Sequence, residues 1–301
     1  MTMTEPSAFR IHKDTDLFRE AVNLTAAETK FATRLIEKDY FCTVLLEYFG
    51  AAVGEDLIFK GGTCLAKVHA DFYRLSEDLD FVISVATDAS RAERRKRVER
   101  VKTAFDALAD SLKGVRVVDG LIGANNSTQY IGVLAYDSVL GSDPGTIKIE
   151  VSLREPLLTP AVNETARTIL IDPISQKPMV PPLPVRCISK TEAFAEKFRA
   201  ALTRREAAIR DFYDIDYSVR KLALDPRNKN MVQLIRQKLA VPGNDAVDVS
   251  NERLATLRQQ VEPQLKPVLR ESDFQDFDLD RAFKTVAEVV KNLLERTTSP
   301  D

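Results

Sequence analysis

The 301-residue sequence contains no tryptophan, only two histidines and only three cysteines. His12 and His69, with no C-x-x-C pair beside them, leave too few nitrogen and sulfur ligands at adjacent spacing for a usual zinc site. Cys42, Cys64 and Cys187 are odd in number and far apart, which reads as reduced thiols packed as small apolar groups. No run approaches the ~18 apolar residues of a membrane span. Met1 to Arg10 has neither the basic start nor the apolar stretch of a secretory signal, so a cytoplasmic protein with no membrane partner is expected. Charge of one sign is missing too: 43 Lys and Arg face 45 Asp and Glu, a net charge of -2. That balance excludes a generally cationic nucleic-acid coat, so any nucleic-acid surface must be local.

What is present is a hydrophobic content of 44%, enough for a well-packed core in one large domain or two ordinary ones. Ala26 to Phe49 carries apolar residues at helical intervals and reads as one or two helices ending at Gly50. Asp56 to Lys60 reads as a short strand, Gly61-Gly62-Thr63 as a turn, Cys64 to Tyr73 as an amphipathic helix and Leu79 to Val85 as the next strand. Arg91 to Lys113 is charged yet puts Val98, Val101, Phe105, Leu108 and Leu112 on one stripe, a helix with one buried side. Val115 to Val118, Gln129 to Tyr136 and Ile147 to Leu153 are strand candidates. Helices thus flank a small mixed sheet. Five prolines between Asp172 and Pro184 suit an irregular connector, giving domains of 1–172 and 185–301. Beyond Arg186 the pattern is helical throughout: Ser189 to Arg204, Ala208 to Leu222, Met231 to Leu239, Asn251 to Gln260 and Leu279 to Arg296.

The chemistry gathers around Asp78 and Asp80. Two apart in a strand, their carboxylates leave one face while Leu79 and Phe81 turn into the core. Ile147 to Leu153 alternates strictly, and its polar face offers Glu150 as a third carboxylate beside Lys148. Three carboxylates from neighbouring strands make an oxygen cage suited to magnesium; the other reading of Lys148 and Glu150 is ordinary solvent-facing charge. Gly61-Gly62-Thr63 lets backbone approach a phosphate, with Thr63 either bonding the anion or capping the helix. Ser189 and Glu192 have capping-box spacing. On the helix that follows, Lys197, and with it Lys190, lies on a largely apolar face, either to bind triphosphate or to snorkel. Asp211 and Asp214 are one turn apart, and Asp214 fits a surface pair with Arg210. The basic run Arg91 to Arg97 reads as a solvated helix face or an RNA contact. Asp273, Asp276, Asp278 and Asp280 read as acidic residues gathered before a helix start.

Six stretches run in an order that resembles the AbiEii/AbiGii-type nucleotidyltransferase toxins, which include the mycobacterial MenT proteins. They are Ile36-Glu37-Lys38-Asp39-Tyr40, Phe59-Lys60-Gly61-Gly62-Thr63, Arg74-Leu75-Ser76-Glu77-Asp78-Leu79-Asp80, Lys148-Ile149-Glu150, Ala195-Glu196-Lys197 and Arg210-Asp211-Phe212-Tyr213-Asp214. The resemblance covers roughly residues 30 to 220. It implies an α+β chain: a polymerase-β-like nucleotidyltransferase core with a small mixed sheet, then an all-helical C-terminal domain. It further implies magnesium (or manganese) on Asp78 and Asp80, nucleotide contacts from Gly62, Thr63 and Lys197, and an essential role for Asp211. Glu150 stands where relatives often carry Asp.

The function expected is a toxin of a type IV-like toxin–antitoxin (abortive infection) system that moves a nucleotide from an NTP to RNA, with the tRNA 3′ end as acceptor, and blocks translation. A cognate antitoxin encoded nearby is the expected partner. Catalysis is expected from Asp78, Asp80, Lys197 and Asp211, metal binding from Asp78, Asp80 and Glu150, and nucleotide contact from Gly62, Thr63, Ser76, Lys190 and Lys197. Ser76 is otherwise a hydroxyl that helps to end the turn, or a site for a phosphate that would repel the triphosphate. Rival readings are transfer to a protein or small molecule, a manganese-dependent glycosyltransferase, and a non-catalytic module that binds RNA or antitoxin.

Overall fold

The computed structural model describes residues 10–295. The reading of Met1 to Arg10 therefore lies outside the described residues except for Arg10, as does the final residue of the helix expected to reach Arg296. The chain divides into two compact units, Met1–Leu157 with Ala161–Ile188, and Leu158–Pro160 with Ser189–Asp301. No helix among the described residues is long and apolar enough to cross a membrane.

The first unit opens with α1 (Thr15–Thr29) and α2 (Thr33–Val53). α2 runs through Gly50, where the sequence pattern had it stop, and ends at Gly54, whose φ of 82° suits glycine alone. Gly50 has open space around it and makes a helical turn at modest cost, so nothing forces an end there. β1 (Ile58–Lys60) leads directly into α3 (Gly61–Cys64), which continues as a π-helical turn over Leu65–His69. The helix thus starts three residues earlier than expected and stops four earlier. Asp71 and Phe72, both left-handed, break it before Tyr73.

After β2 (Leu79–Val82) come α4 (Arg91–Asp106), α5 (Leu108–Ser111), β3 (Val115–Ala124), β4 (Gln129–Tyr136), β5 (Gly145–Ser152), β6 (Val162–Ala166) and β7 (Leu183–Cys187). β3 is longer than its sequence signal because bulges near Asp119 interrupt the alternation. β6 and β7 are additions to the sequence reading. β7 lies partly inside the proline-rich stretch, and Pro184 is accommodated opposite Thr165 of the edge strand β6. The seven strands form one mixed sheet in the order β3-β4-β5-β2-β1-β7-β6. β2 runs parallel to β5 and β1 parallel to β7, while the other neighbours are antiparallel.

α2 supplies much of the core: Leu35, Ile36, Tyr40, Phe41, Leu45 and Phe49 are buried, as are Leu79, Phe81, Ile147, Ile149 and Val151 of the sheet. Phe49 meets Phe81 edge-on with ring centroids 6.0 Å apart and stacks with Phe105 at 6.4 Å, an aromatic cluster of the kind that dominates core energetics. Two carboxylates of α2 serve as fasteners. Glu37 accepts from Ser138 Oγ and Val139 N. Asp39 pairs with Lys67 Nζ at 2.7 Å and accepts from Thr168 Oγ1 and Ile169 N, all but the last inside the protein.

The second unit is helical, with α6 (Lys190–Thr203), α7 (Ile209–Lys221), α8 (Lys229–Leu239), α9 (Asn251–Gln260), α10 (Glu271–Asp276) and α11 (Leu279–Glu295). No strand occurs among its described residues. Ser189 Oγ caps α6 by accepting from Glu192 N. The capping box is only half formed, because the Glu192 carboxylate turns to Leu158 N, Thr159 N and Thr159 Oγ1. It also pairs at 2.7 Å with Lys238 of α8, and both side chains are fully buried. Asp278 receives the Arg281 amide at the start of α11, while Asp273, Asp276 and Asp280 pair with Arg270, Arg220 and Arg258.

Candidate active site

In the first unit the sheet lays a row of charged residues across three strands. β1 pairs Lys60 with Asp80, and β2 pairs Asp80 with Glu150. Directly opposed residues stand within side-chain contact of one another, so one cation and two carboxylates lie side by side. Alternation dictates the face: Ile147, Ile149 and Val151 are buried below, and Lys148, Glu150 and Ser152 line the other side. Asp78 sits one residue before β2 rather than inside it. It joins the group through Lys148, whose Nζ lies 3.7 Å from Asp78 Oδ2 and 3.6 Å from Glu150 Oε2. Lys148 is thus a counter-charge to the carboxylates rather than ordinary surface charge.

The glycine turn is built against this row. Gly61 has φ +77°, and a Cβ there would come 2.1 Å from Asp80 Oδ2, so only glycine lets the backbone pass the carboxylate. At Gly62 a Cβ would lie 2.7 Å from the Arg74 guanidinium and 3.0 Å from Ser76 Oγ. Thr63 neither caps α3 nor stands free: its hydroxyl donates to the Asp78 carbonyl, tying the helix to the residue before β2. Glu77 receives Arg34 at 3.1 Å and Lys38 at 3.5 Å, which anchors the Ser76–Asp78 segment to α2. Gly62, Thr63, Ser76, Asp78, Asp80 and Glu150, scattered over 89 positions of sequence, therefore meet in one place. Lys60 and Arg74 were not singled out as site residues in the sequence; the register that sets Lys60 opposite Asp80 has no local signal.

Electrostatics mark the same place. The Asp80 carboxyl is pushed up to about 6, first by burial and then by Glu150, against the pull of Lys60 and Lys148. Crowded carboxylates raise the proton affinity of one another, and a bound cation relieves the same repulsion. The donor set is all oxygen, which fits a hard divalent ion, and the Lys148 ammonium already occupies the spot where positive charge is wanted.

In the second unit Lys197 Nζ lies 2.9 Å from Asp211 Oδ1 and 2.8 Å from Asp214 Oδ2. Asp214 is fully buried, which corrects its reading as half of a surface pair: one turn of α7 places it beside Asp211 on the inward side. Asp211 Oδ2 accepts no hydrogen bond, although Arg204 Nη1 stands 3.3 Å away. Lys190 is exposed on the first turn of α6. Within the basic run of α4, Arg94 is buried and donates to the Leu153 and Thr87 carbonyls, whereas Arg91, Arg95, Lys96 and Arg97 are exposed.

No curated protein matches the sequence. Among solved structures the chain is similar to JHP933 from Helicobacter pylori, with 14% identity, a TM-score of 0.51, and coverage of 89% of this chain and 96% of that one. A candidate nucleotidyltransferase from H. pylori gives the same identity and TM-score, with coverage of 90% and 100%. At such identity the likeness is one of fold. The family model described as nucleotidyl transferase AbiEii toxin, type IV TA system, matches residues 45–292. That span takes in the glycine turn, the carboxylate row and the Lys197 cluster, and the chain belongs to the AbiEii nucleotidyltransferase toxin family of type IV toxin–antitoxin systems.

Proposed function

We propose that the chain transfers a nucleotide from an NTP to the 3′ end of an RNA, with tRNA as acceptor, and so blocks translation in the cell that makes it. The observation carrying this reading is the row Lys60–Asp80–Glu150 with the Gly61 backbone pressed against the Asp80 carboxylate. Asp78, Asp80 and Glu150 would hold a divalent ion, magnesium or manganese, which when bound supplies charge neutralisation at the phosphates of the nucleotide.

The residues of the chain then have separable tasks. Gly61 and Gly62 let backbone come close to the triphosphate, Ser76 offers it a hydroxyl, and Thr63, its own hydroxyl given to the Asp78 carbonyl, would contact it through the backbone amide. Lys60 and Arg74 bring positive charge to the same turn. With the ion bound, Asp78, Asp80 and Glu150 would stay ionised as its ligands while the acceptor's 3′ hydroxyl bonds to the α-phosphate, gives its proton to water, and pyrophosphate leaves. Lys197 carries the nucleotide contact and Asp211 the essential role that the family resemblance implies, while Lys190, on the same helix as Lys197, is a further candidate for triphosphate contact. An antitoxin encoded nearby would neutralise the activity in a cytoplasmic setting.

Total RNA and each labelled NTP are incubated with the purified chain and magnesium, and RNA 3′ ends are sequenced. We expect extension of tRNA by one kind of nucleotide, abolished by Asp80→Ala together with growth inhibition. Label transferred to protein or to a small molecule would replace the acceptor. RNA labelling undiminished by Asp80→Ala would remove the site.

A further inference from the structure

Away from the carboxylate row, Cys64, His69 and Cys187 bring a ligand atom each to within 4.8 Å of one another. Nothing in their spacing announces this, since 118 positions separate His69 from Cys187. Two features of the backbone create the cluster. In an α-helix residues five apart face about 140° away from each other. The π turn of Leu65–His69, bonded five residues apart instead of four, swings His69 back toward the side of Cys64. β7 then brings in Cys187 opposite Phe59 of β1, the strand that runs into α3.

We propose that Cys64, His69 and Cys187 bind one thiophilic divalent cation of the zinc class, a site separate from the oxygen-lined one. Two thiolates and an imidazole are a donor set that selects zinc-type ions over magnesium. Tetrahedral zinc with bonds of about 2.3 Å to sulfur and 2.0 Å to nitrogen sets ligand atoms about 3.5 to 3.8 Å apart. Cys187 Sγ is 4.0 Å from His69 Nε2, so closure around an ion requires movements well under 1 Å for that pair. Both sulfurs are fully buried while His69 is partly exposed, which makes the imidazole the side from which an ion enters.

Proton balance is simple. Cysteine ligates a cation as thiolate, so the Cys64 and Cys187 thiols give up their protons to solvent on binding. His69 now donates its Nε2 proton to the Ile188 carbonyl at 2.9 Å. On binding, the ring proton moves to Nδ1 and Nε2 turns its lone pair to the ion, the fourth position being left to water. A cation here would fasten β7 to the helix that opens with the glycine turn.

The test is a titration of the full reduced chain with cobalt(II), followed by zinc. We expect one equivalent to bind, with the sulfur-to-cobalt charge-transfer absorption of two thiolates, complete displacement by one equivalent of zinc, no displacement by excess magnesium, and a higher Tm with zinc. Cys64→Ser and Cys187→Ser should each weaken zinc binding at least about 10-fold and halve the absorption. Cys42→Ser should leave both unchanged, since burial keeps that thiol protonated up to about 12. Absence of the charge-transfer band from the wild-type chain overturns the proposal, and this reading requires no variant to fold. It is equally overturned by a band that survives in the Cys64→Ser/Cys187→Ser double variant. Isolation of a Cys64–Cys187 disulfide whose reduction restores no cobalt binding would also overturn it.

Discussion

Gly61 and Asp80 touch: a methyl group placed on the Gly61 α-carbon would lie 2.1 Å from the Asp80 carboxylate. Gly61→Ala therefore has to push Asp80 aside and also take up a φ of +77°, which costs an L-residue roughly 1–2 kcal/mol. Displacing a reacting group by about 1 Å costs on the order of 100-fold in rate. Steady-state nucleotide transfer by Gly61→Ala should fall by about that factor, with Tm lowered slightly. Wild-type turnover in this variant would show that the contact has no part in the chemistry.

Asp80 makes the apo protein pH-sensitive in a definite direction. Its carboxyl is raised from 3.8 to about 6, so the folded state holds the proton more tightly than the unfolded chain. The sign follows from linkage: stability from this group is complete below about pH 4 and is lost as pH rises to about 6. Asp80→Asn removes that loss and should stabilise the metal-free chain by about 3 kcal/mol at pH 7.5 while abolishing transfer. The advantage should vanish at pH 4. Thermal melts of both proteins at the two pH values decide it, and a destabilised Asp80→Asn at pH 7.5 would contradict the electrostatic account.

Lys67 and Asp39 form an ion pair of 2.7 Å with side-chain exposures of 0% and 2%. Removing one partner strands the other charge inside, a loss of about 3–5 kcal/mol. Lys67→Met should show that loss in urea denaturation, and Lys67→Met with Asp39→Asn should recover part of it. If the double variant is no more stable than Lys67→Met, the two charges are not energetically coupled.

Lys197 neutralises Asp211 and Asp214 together. In Lys197→Ala the two carboxylates face each other with their shared cation gone, so the folded state prefers them protonated. We expect nucleotide transfer to be lost. We also expect the Tm deficit relative to wild type to widen from pH 5 to pH 8, because stability dependent on a raised carboxyl falls as pH climbs. A deficit constant with pH would assign Lys197 a packing role.

What the sequence disclosed follows from what periodicity encodes. The alternation of Ile147 to Leu153 identified β5 and the facing of Glu150, because burial on one side imposes a period of two. Asp80 was legible for the same reason, and the glycine turn because Gly61 and Gly62 have few other uses between a strand and a helix. The partnerships of Lys60, Lys148 and Arg74 were hidden, since strand register decides which charge meets which and no local pattern states it. β7 was masked by prolines that an antiparallel partner at the sheet edge tolerates. Asp214 looked like surface charge, and Glu192 like a capping residue, because a buried carboxylate differs from an exposed one only through distant partners such as Lys197 and Lys238.

Leu158–Pro160 lies between β5 and β6 in sequence yet belongs to the helical unit, where Glu192 receives the Leu158 and Thr159 amides. A gene severed after Ile188 would therefore yield an amino-terminal fragment carrying three foreign residues. Its carboxy-terminal complement would keep the buried Lys238 but leave Glu192 without the amides it was shaped to receive. The two halves of this toxin are stitched through each other's coding sequence, and neither can be inherited, swapped or expressed as an intact module by a single cut.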